Sequence, residues 1–214
     1  MNIKMPTDAE PVTIIEGDCL EVMKYLPKAQ LDIVTDPPYG IGEAAGKNKS
    51  RGLLAISKDY GNDEWDNEPC STQAIEEMLR VSSNQVIFGG NYFQLPPSSC
   101  WLVWDKMNGN TDFADCEMAW TNINRATRLI QHRWHGMIRE GQEKRYHPTQ
   151  KPLRVMRWAI SKLPNDSSII LDPFAGSGTT GVAAIAEGRK CILIEKEPKY
   201  VAIIRKRIAL ALGR

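Results

Sequence analysis

At 214 residues, with 42% hydrophobic and 25% charged side chains, the chain has the length of one domain and too many apolar residues to stay disordered. Five cysteines without a CxxC pair argue against a disulfide framework or zinc ribbon. With no apolar leader at the N-terminus and no membrane-length apolar run, a cytoplasmic protein away from membranes is expected. The net charge of +1 conceals an asymmetry: residues 121–158 hold nine Lys/Arg against two acids, a bias that marks either a solvated face or contact with a polyanion.

VTIIE at 12–16 reads as a buried strand. Cys19, Val22, Met23 and Leu26 then fall at i, i+3, i+4 and i+7, one face of a helix over 19–26. LDIVT at 31–35 is a second strand, ended by Pro37 and Pro38, neither of which can donate to a ladder. Residues 41–69 lack apolar periodicity and read as a mobile loop. Ser71 or Thr72 can cap a helix reaching about Arg80. Apolar runs at 86–88, 101–104 and 117–120 are strand candidates, with a turn signal at Asn108-Gly109-Asn110. Pro152 can open an amphipathic helix over 153–163 at its first position. SSIIL (167–171) and KCILIE (190–195) are strands; 179–188 and 199–212 are helices, the first stopped near Gly188. Strands and helices alternating in short units predict an α/β fold, a doubly wound and mostly parallel sheet, in a single domain over 1–214.

Two sites carry chemistry. Gly176-Ser177-Gly178-Thr179-Thr180-Gly181 satisfies G-x-G-x-x-G between a predicted strand and a predicted helix, and Glu195 ends the following strand. Glycines permit a tight turn and close backbone approach, and the acid can bind ribose hydroxyls; the pattern fits a dinucleotide as well as S-adenosylmethionine. Asp36-Pro37-Pro38-Tyr39 follows the second strand. Ligands of doubly wound sheets bind beyond the carboxyl ends of strands, so both sites can face one crevice. An exocyclic amine on a nucleobase is a poor nucleophile. Asp36 and the Pro37 carbonyl could each accept one amino hydrogen and so favour a tetrahedral nitrogen, and Tyr39 offers a face for the base. A paired base reaches such a pocket only when flipped out. His132 and His135 stand three apart with no carboxylate cluster beside them, so no metal site is expected.

TDPPYG (35–40), HPTQKP (147–152) and DPFAGSGTT (172–180) resemble the DNA amino-methyltransferases that act on adenine N6 or cytosine N4, in the motif order of the β group. The resemblance lies in two blocks, about 12–40 and 147–200. It implies an S-adenosylmethionine-dependent methyltransferase fold with permuted motif order. Asp36, Pro37, Pro38 and Tyr39 would hold the target amine and base. Asp172, Phe174, Gly176, Ser177, Gly178 and Thr179 would form the cofactor loop. Glu195 would meet the cofactor ribose, Asp18 and Cys19 its adenine, and Thr149 and Lys151 its amino-acid end. The resemblance further implies double-stranded DNA as substrate, a plausible homodimer, and a target-recognition insert over about 105–146. Candidate DNA contacts are Arg125, Arg128, Arg133, Arg139, Lys144 and Arg145, with Lys47, Lys49 and Arg51 beside the catalytic tetrapeptide. Asp rather than Ser at position 36 leans toward adenine. Cytosine N4, RNA adenine, a nicotinamide-dependent dehydrogenase and a non-catalytic nucleic-acid-binding protein are the alternatives.

Overall fold

The computed structural model describes residues 3–40, 69–109, 114–135, 138–139, 143–147, 149–164 and 168–214. Among these the chain runs β1 (Val12–Glu16), α1 (Cys19–Met23), β2 (Leu31–Thr35), α2 (Thr72–Val81), β3 (Ser82–Phe88), β4 (Trp101–Asp105), β5 (Cys116–Thr121), β6 (Arg128–Gln131), β7 (Trp134–His135), β8 (Ile138–Arg139), α3 (Leu153–Ile160), β9 (Ile169–Asp172), α4 (Thr179–Ala186), β10 (Cys191–Glu195) and α5 (Pro198–Ala211). No helix among the described residues is long and apolar enough to cross a membrane.

Eight strands form one sheet in the order β1-β10-β9-β2-β3-β5-β4-β6. Parallel pairs join β1 to β3 through β10, β9 and β2. β5 is antiparallel to both β3 and β4, and β6 is parallel to β4, so β5 alone runs against the rest. This is the expected doubly wound, mostly parallel sheet. Every residue of β2 and all but the last of β10 are buried, as strands covered on both faces must be. One apolar layer packs Val34, Val155, Met156, Ala184 and Ile204 beneath α3, α4 and α5. The other packs Val22, Met23, Ile33, Ile75 and Met78 beneath α1 and α2.

Local chemistry sets the helix starts. Asp18 Oδ1 accepts from the Leu20 and Glu21 N–H groups (2.8 and 3.3 Å) and caps α1. Ser71 Oγ accepts from Ala74 N–H and caps α2. Pro152 stands one position before α3 rather than inside it. β3 begins four residues earlier than its apolar run, because its polar start is satisfied. Asn84 donates to Asp32, Gln85 donates to Ser82, and the Asn122 side chain takes the Gln85 N–H. β6 reads as basic and exposed, so periodicity passes over it; it is the open edge of the sheet. Within the segment 105–146, β5 and β6 are strands of the main sheet, and β7 and β8 pair apart from it.

The sheet winds outward in opposite directions from its centre, toward β3 on one side and toward β10 on the other, so β2 and β9 flank the switch point. Asp36–Tyr39 follow β2 and Pro173–Gly178 follow β9. Thr35 Oγ1 donates to Asp172 Oδ1 across the seam at 2.7 Å.

Candidate active site

Among the described residues a cleft opens at the switch point. It is lined by Asp18, Cys19, Asp36, Pro38, His147, Thr149, Lys151, Asp172, Phe174, Gly176, Ser177, Thr179 and Glu195, together with Gln150, Met156, Lys196 and Tyr200. The glycine turn and part of the tetrapeptide therefore share one space: Asp36 and Pro38 line it, whereas Pro37 and Tyr39 do not.

The glycine turn is held from three sides. Gly176 N–H donates to Glu195 Oε2 (2.8 Å) and Glu197 N–H to Oε1 (2.9 Å). Burial nevertheless pushes the Glu195 carboxyl up to about 7. Asp172 ties the turn to the sheet, accepting from Thr35, from Thr180 (2.5 Å) and from Phe174 N–H (3.1 Å); burial pushes it up to about 6. Arg207, reaching up from α5, donates to the Ser177 carbonyl and hydroxyl and to the Thr179 hydroxyl at 2.7–3.0 Å. Gly178 adopts φ +79° and is not among the residues lining the cleft. A Cβ there would sit 3.1 Å from Ile204 of α5, so this glycine serves backbone turning and packing.

HPTQKP is folded against the turn by its own polar groups. Gln150 Oε1 accepts from Tyr146 N–H and Ser177 Oγ, and its Nε2 donates to Glu143. Thr149 N–H donates to His147 Nδ1 (3.3 Å), and the His147 ring tilts against Tyr200 at 4.5 Å. Lys151 points the other way. Its Nζ donates to Asp36 Oδ2 at 2.6 Å and lies 3.0 Å from Glu117 Oε2. The ammonium read as a cofactor contact is thus committed to the tetrapeptide. Burial opposes its charge, but Asp36 and Glu117 outweigh that and hold its pKa well above the ordinary value. Burial pushes the Asp36 carboxyl upward against the pull of Lys151.

The Tyr39 hydroxyl donates to Asp36 Oδ1. The Tyr39 ring already has a stacking partner: Tyr92 lies 5.0 Å away at 16°, and Phe93 tilts against it at 6.2 Å. Gly89, at φ +65°, leaves room for this ring, since a Cβ there would fall 2.0 Å from Tyr39 Cε1. Pro38 O accepts from Cys70 N–H, and Pro37 is buried. Asp18, read as an adenine contact, spends one carboxylate oxygen on capping α1. Burial pushes the Cys19 thiol up to about 11, so it stays protonated at neutral pH.

Of the candidate DNA contacts, Arg125, Arg128, Arg133, Lys144 and Arg145 are not among the residues lining the cleft. Arg125, Arg128 and Arg133 are exposed, Lys144 is exposed with its ammonium over Tyr146, and Arg145 donates to His147 O. The Arg139 side chain, with Lys47, Lys49 and Arg51, falls outside the described residues. No group of three or more His, Cys, Asp or Glu able to hold a metal occurs among the described residues. Sequence reasoning missed Glu117, Tyr92, Gly89 and Arg207. Each acts through a partner distant in the chain, and only Gln150 and His147 stood inside a recognisable motif.

Residues 53–206 match the family model described as DNA methylase, of the N6/N4 type. Type II methyltransferase M.HinfI of Haemophilus influenzae is 29% identical over 92% of this chain and 68% of its own length. The M1.HpyAVI–SAM complex superposes with a TM-score of 0.56 at 26% identity, covering 92% of this chain and 98% of that one. The PvuII DNA methyltransferase (cytosine-N4-specific) shares the fold, with a TM-score of 0.58 at 18% identity, over 95% of this chain and 87% of that one. With the glycine turn and the DPPY tetrapeptide in one cleft, the chain belongs to the DNA methylase family of N6/N4 amino-methyltransferases.

Proposed function

We propose that the protein transfers a methyl group from S-adenosylmethionine to the exocyclic N6 of adenine in double-stranded DNA, with the base flipped into the DPPY pocket. The observation that carries this reading is the shared cleft: Asp36, Pro38 and Lys151 line it together with Gly176 and Glu195.

The residues present fit the cofactor. Glu195 still has lone pairs for ribose hydroxyls, Asp18 lies at the lip, and Cys19, Phe174 and Met156 offer apolar surface suited to an adenine ring. Ser177, Thr179 and Thr149 line the same cleft. Bound there, S-adenosylmethionine supplies an electrophilic methyl group on a sulfonium.

The chain's own groups prepare the acceptor. Asp36 Oδ1 and Oδ2 are each held by one donor, Tyr39 and Lys151, which fixes the carboxylate plane while leaving lone pairs for an amino hydrogen. The Pro38 carbonyl is engaged by Cys70, so the Pro37 carbonyl is the second acceptor assigned. Two aimed acceptors localise the amine lone pair and stabilise positive charge developing on nitrogen. Tyr92 is half exposed and stacks on Tyr39, so the aromatic face assigned to a flipped base is that of Tyr92, with Tyr39 backing it. Asp at position 36 supports adenine over cytosine. Exposed Arg125, Arg128, Arg133 and Lys144, with Arg139 and Arg145, are assigned to the DNA backbone, and Lys47, Lys49 and Arg51 to the same substrate near the tetrapeptide.

Incubation with labelled S-adenosylmethionine and unmodified double-stranded DNA, followed by nucleoside analysis, tests the reading. N6-methyldeoxyadenosine is expected. Label in N4-methyldeoxycytidine would move the target to cytosine, and unlabelled DNA would overturn the assignment.

A further inference from the structure

β5 is the strand that runs against the sheet, and this direction has a chemical consequence. Ala119 pairs with Phe88 at the end of β3, so Glu117, two residues earlier and opposite Trp104, overhangs the carboxyl edge where Asp36 lies. Its Oε1 contacts Lys106 Nζ at 2.5 Å. Its Oε2 is buried 3.0 Å from Lys151 Nζ in an ion pair without a hydrogen bond. Lys151, only 8% exposed, therefore sits between two carboxylates and over the rings of Tyr39 and Phe88, at 5.5 and 5.6 Å.

We propose that Glu117 is a positioning residue for methyl transfer: anchored by Lys106, it shares the Lys151 ammonium with Asp36, so that Lys151 orients the Asp36 carboxylate without pairing with it alone. The proposal rests on the acceptor role of Asp36 argued above. An ammonium 2.6 Å from Asp36 with no second carboxylate would make a neutral pair. A nitrogen gaining positive charge would then meet no net attraction, and a like charge beside it. Glu117 makes Lys151 a shared cation: because Glu117 is itself paired with Lys106, the four groups together are neutral, and its effect on Asp36 is to divide the pull of the Lys151 ammonium between two carboxylates. Asp36 is faced by Tyr39 from its own loop, Lys151 from the segment before α3, Glu117 from β5 and Asp172 from β9. Of these, Glu117 and Asp172 are acids, and Glu117 is the one tied to Lys151.

Steady-state methyl transfer by the whole protein tests this. A wild-type protein that transfers no methyl to DNA overturns the functional reading itself, which separates the two failures. Given wild-type transfer, Glu117→Gln should lower kcat about 10- to 100-fold while KM for S-adenosylmethionine stays within about twofold. The acid limb of its kcat profile should move to lower pH, because the lost carboxylate had raised Asp36. Lys151→Met should be more damaging, since it leaves Asp36 without its cation beside a Glu117 held by Lys106 alone. Adding Glu117→Gln to Lys151→Met should then regain several-fold activity, a reversal of sign that a merely structural residue does not produce. Glu117→Asp keeps the charge and should hold kcat within about fivefold, which also serves should the Gln variant misfold. A kcat within about threefold of wild type in Glu117→Gln, an unmoved acid limb, equal losses in both Lys151 backgrounds, or an Asp variant as impaired as the Gln variant would each overturn the proposal.

Discussion

Two ion clusters lie at opposite ends of β2, and they are built to different ends. At its start, Asp32 is fully buried and takes three donors. Asn84 donates to Oδ1 at 2.8 Å, while Arg189 (3.0 Å) and the Ser168 hydroxyl donate to Oδ2. Arg189 spends its remaining reach on the Ser168 carbonyl. One cation meets one anion, and the group is closed. Just past the other end of β2, two carboxylates share Lys151 while Lys106 holds the second of them, Asp36 borders the cleft, and one Glu117 oxygen lacks a hydrogen bond. The ion pair of the first cluster is buried and none of the cluster's members lines the cleft, so its work is to join β2, β3, β9 and the start of β10. The second keeps acceptor capacity at the switch point, where a ligand can use it.

The contrast can be broken in either direction. Arg189→Met leaves Asp32 buried without its cation and should cost about 3–5 kcal/mol of stability, read by denaturant unfolding, while activity per folded molecule stays unchanged. Lost activity at full stability would merge the two clusters into one functional unit. Asp36→Ala should do the reverse, lowering methyl transfer at least about 100-fold with little change in stability or in calorimetric affinity for S-adenosylmethionine. Asp36→Asn, which keeps an acceptor oxygen but loses the charge, should fall between the two.

Glu195 sharpens the comparison through pH. Its carboxyl ionises near 4.5 when unfolded and near 7 in the folded chain. Below the first value both states are protonated. Between the two the folded chain holds more protons, so its contribution to stability declines as pH rises, and the loss is complete above the folded pKa. Binding ribose hydroxyls favours the ionised acid, so cofactor affinity should climb with pH by up to about tenfold per unit below about 7 and then level. Calorimetry in buffers of different ionisation enthalpy should detect a proton released on binding at pH 6.5 to 7 and little above about pH 8. Equal proton release across that range would remove Glu195 from the ribose. The smallest effect belongs to the exposed charges. Replacing Arg128 and Arg133 by glutamine should reduce the slope of log K for DNA against log salt by about 0.9 for every phosphate no longer neutralised, sparing cofactor binding. An unchanged slope would place the DNA-backbone surface elsewhere.

Much of this architecture was readable in advance. β1, β2 and β10 announce themselves as short apolar runs, and α2, α3 and α5 by period and capping residues, because burial on one or both faces imprints those patterns locally. β6 did not, since an exposed edge strand carries no such imprint, and the polar start of β3 was hidden because its side chains are satisfied by Asp32, Ser82 and Asn122.

The candidate site divides in the same way. The glycine turn, the DPPY tetrapeptide and Glu195 are contiguous signatures or end a predicted strand, so sequence alone assigned them to one kind of chemistry. Sequence could not say that Lys151 turns to Asp36, 115 residues away. Nor could it say that Glu117 backs it, that Tyr92 covers Tyr39, or that Arg207 braces Ser177. Each of these depends on which strand ends the fold brings together, and above all on β5 entering antiparallel. Charge pairing is a property of distance in space, and only the folded sheet sets those distances.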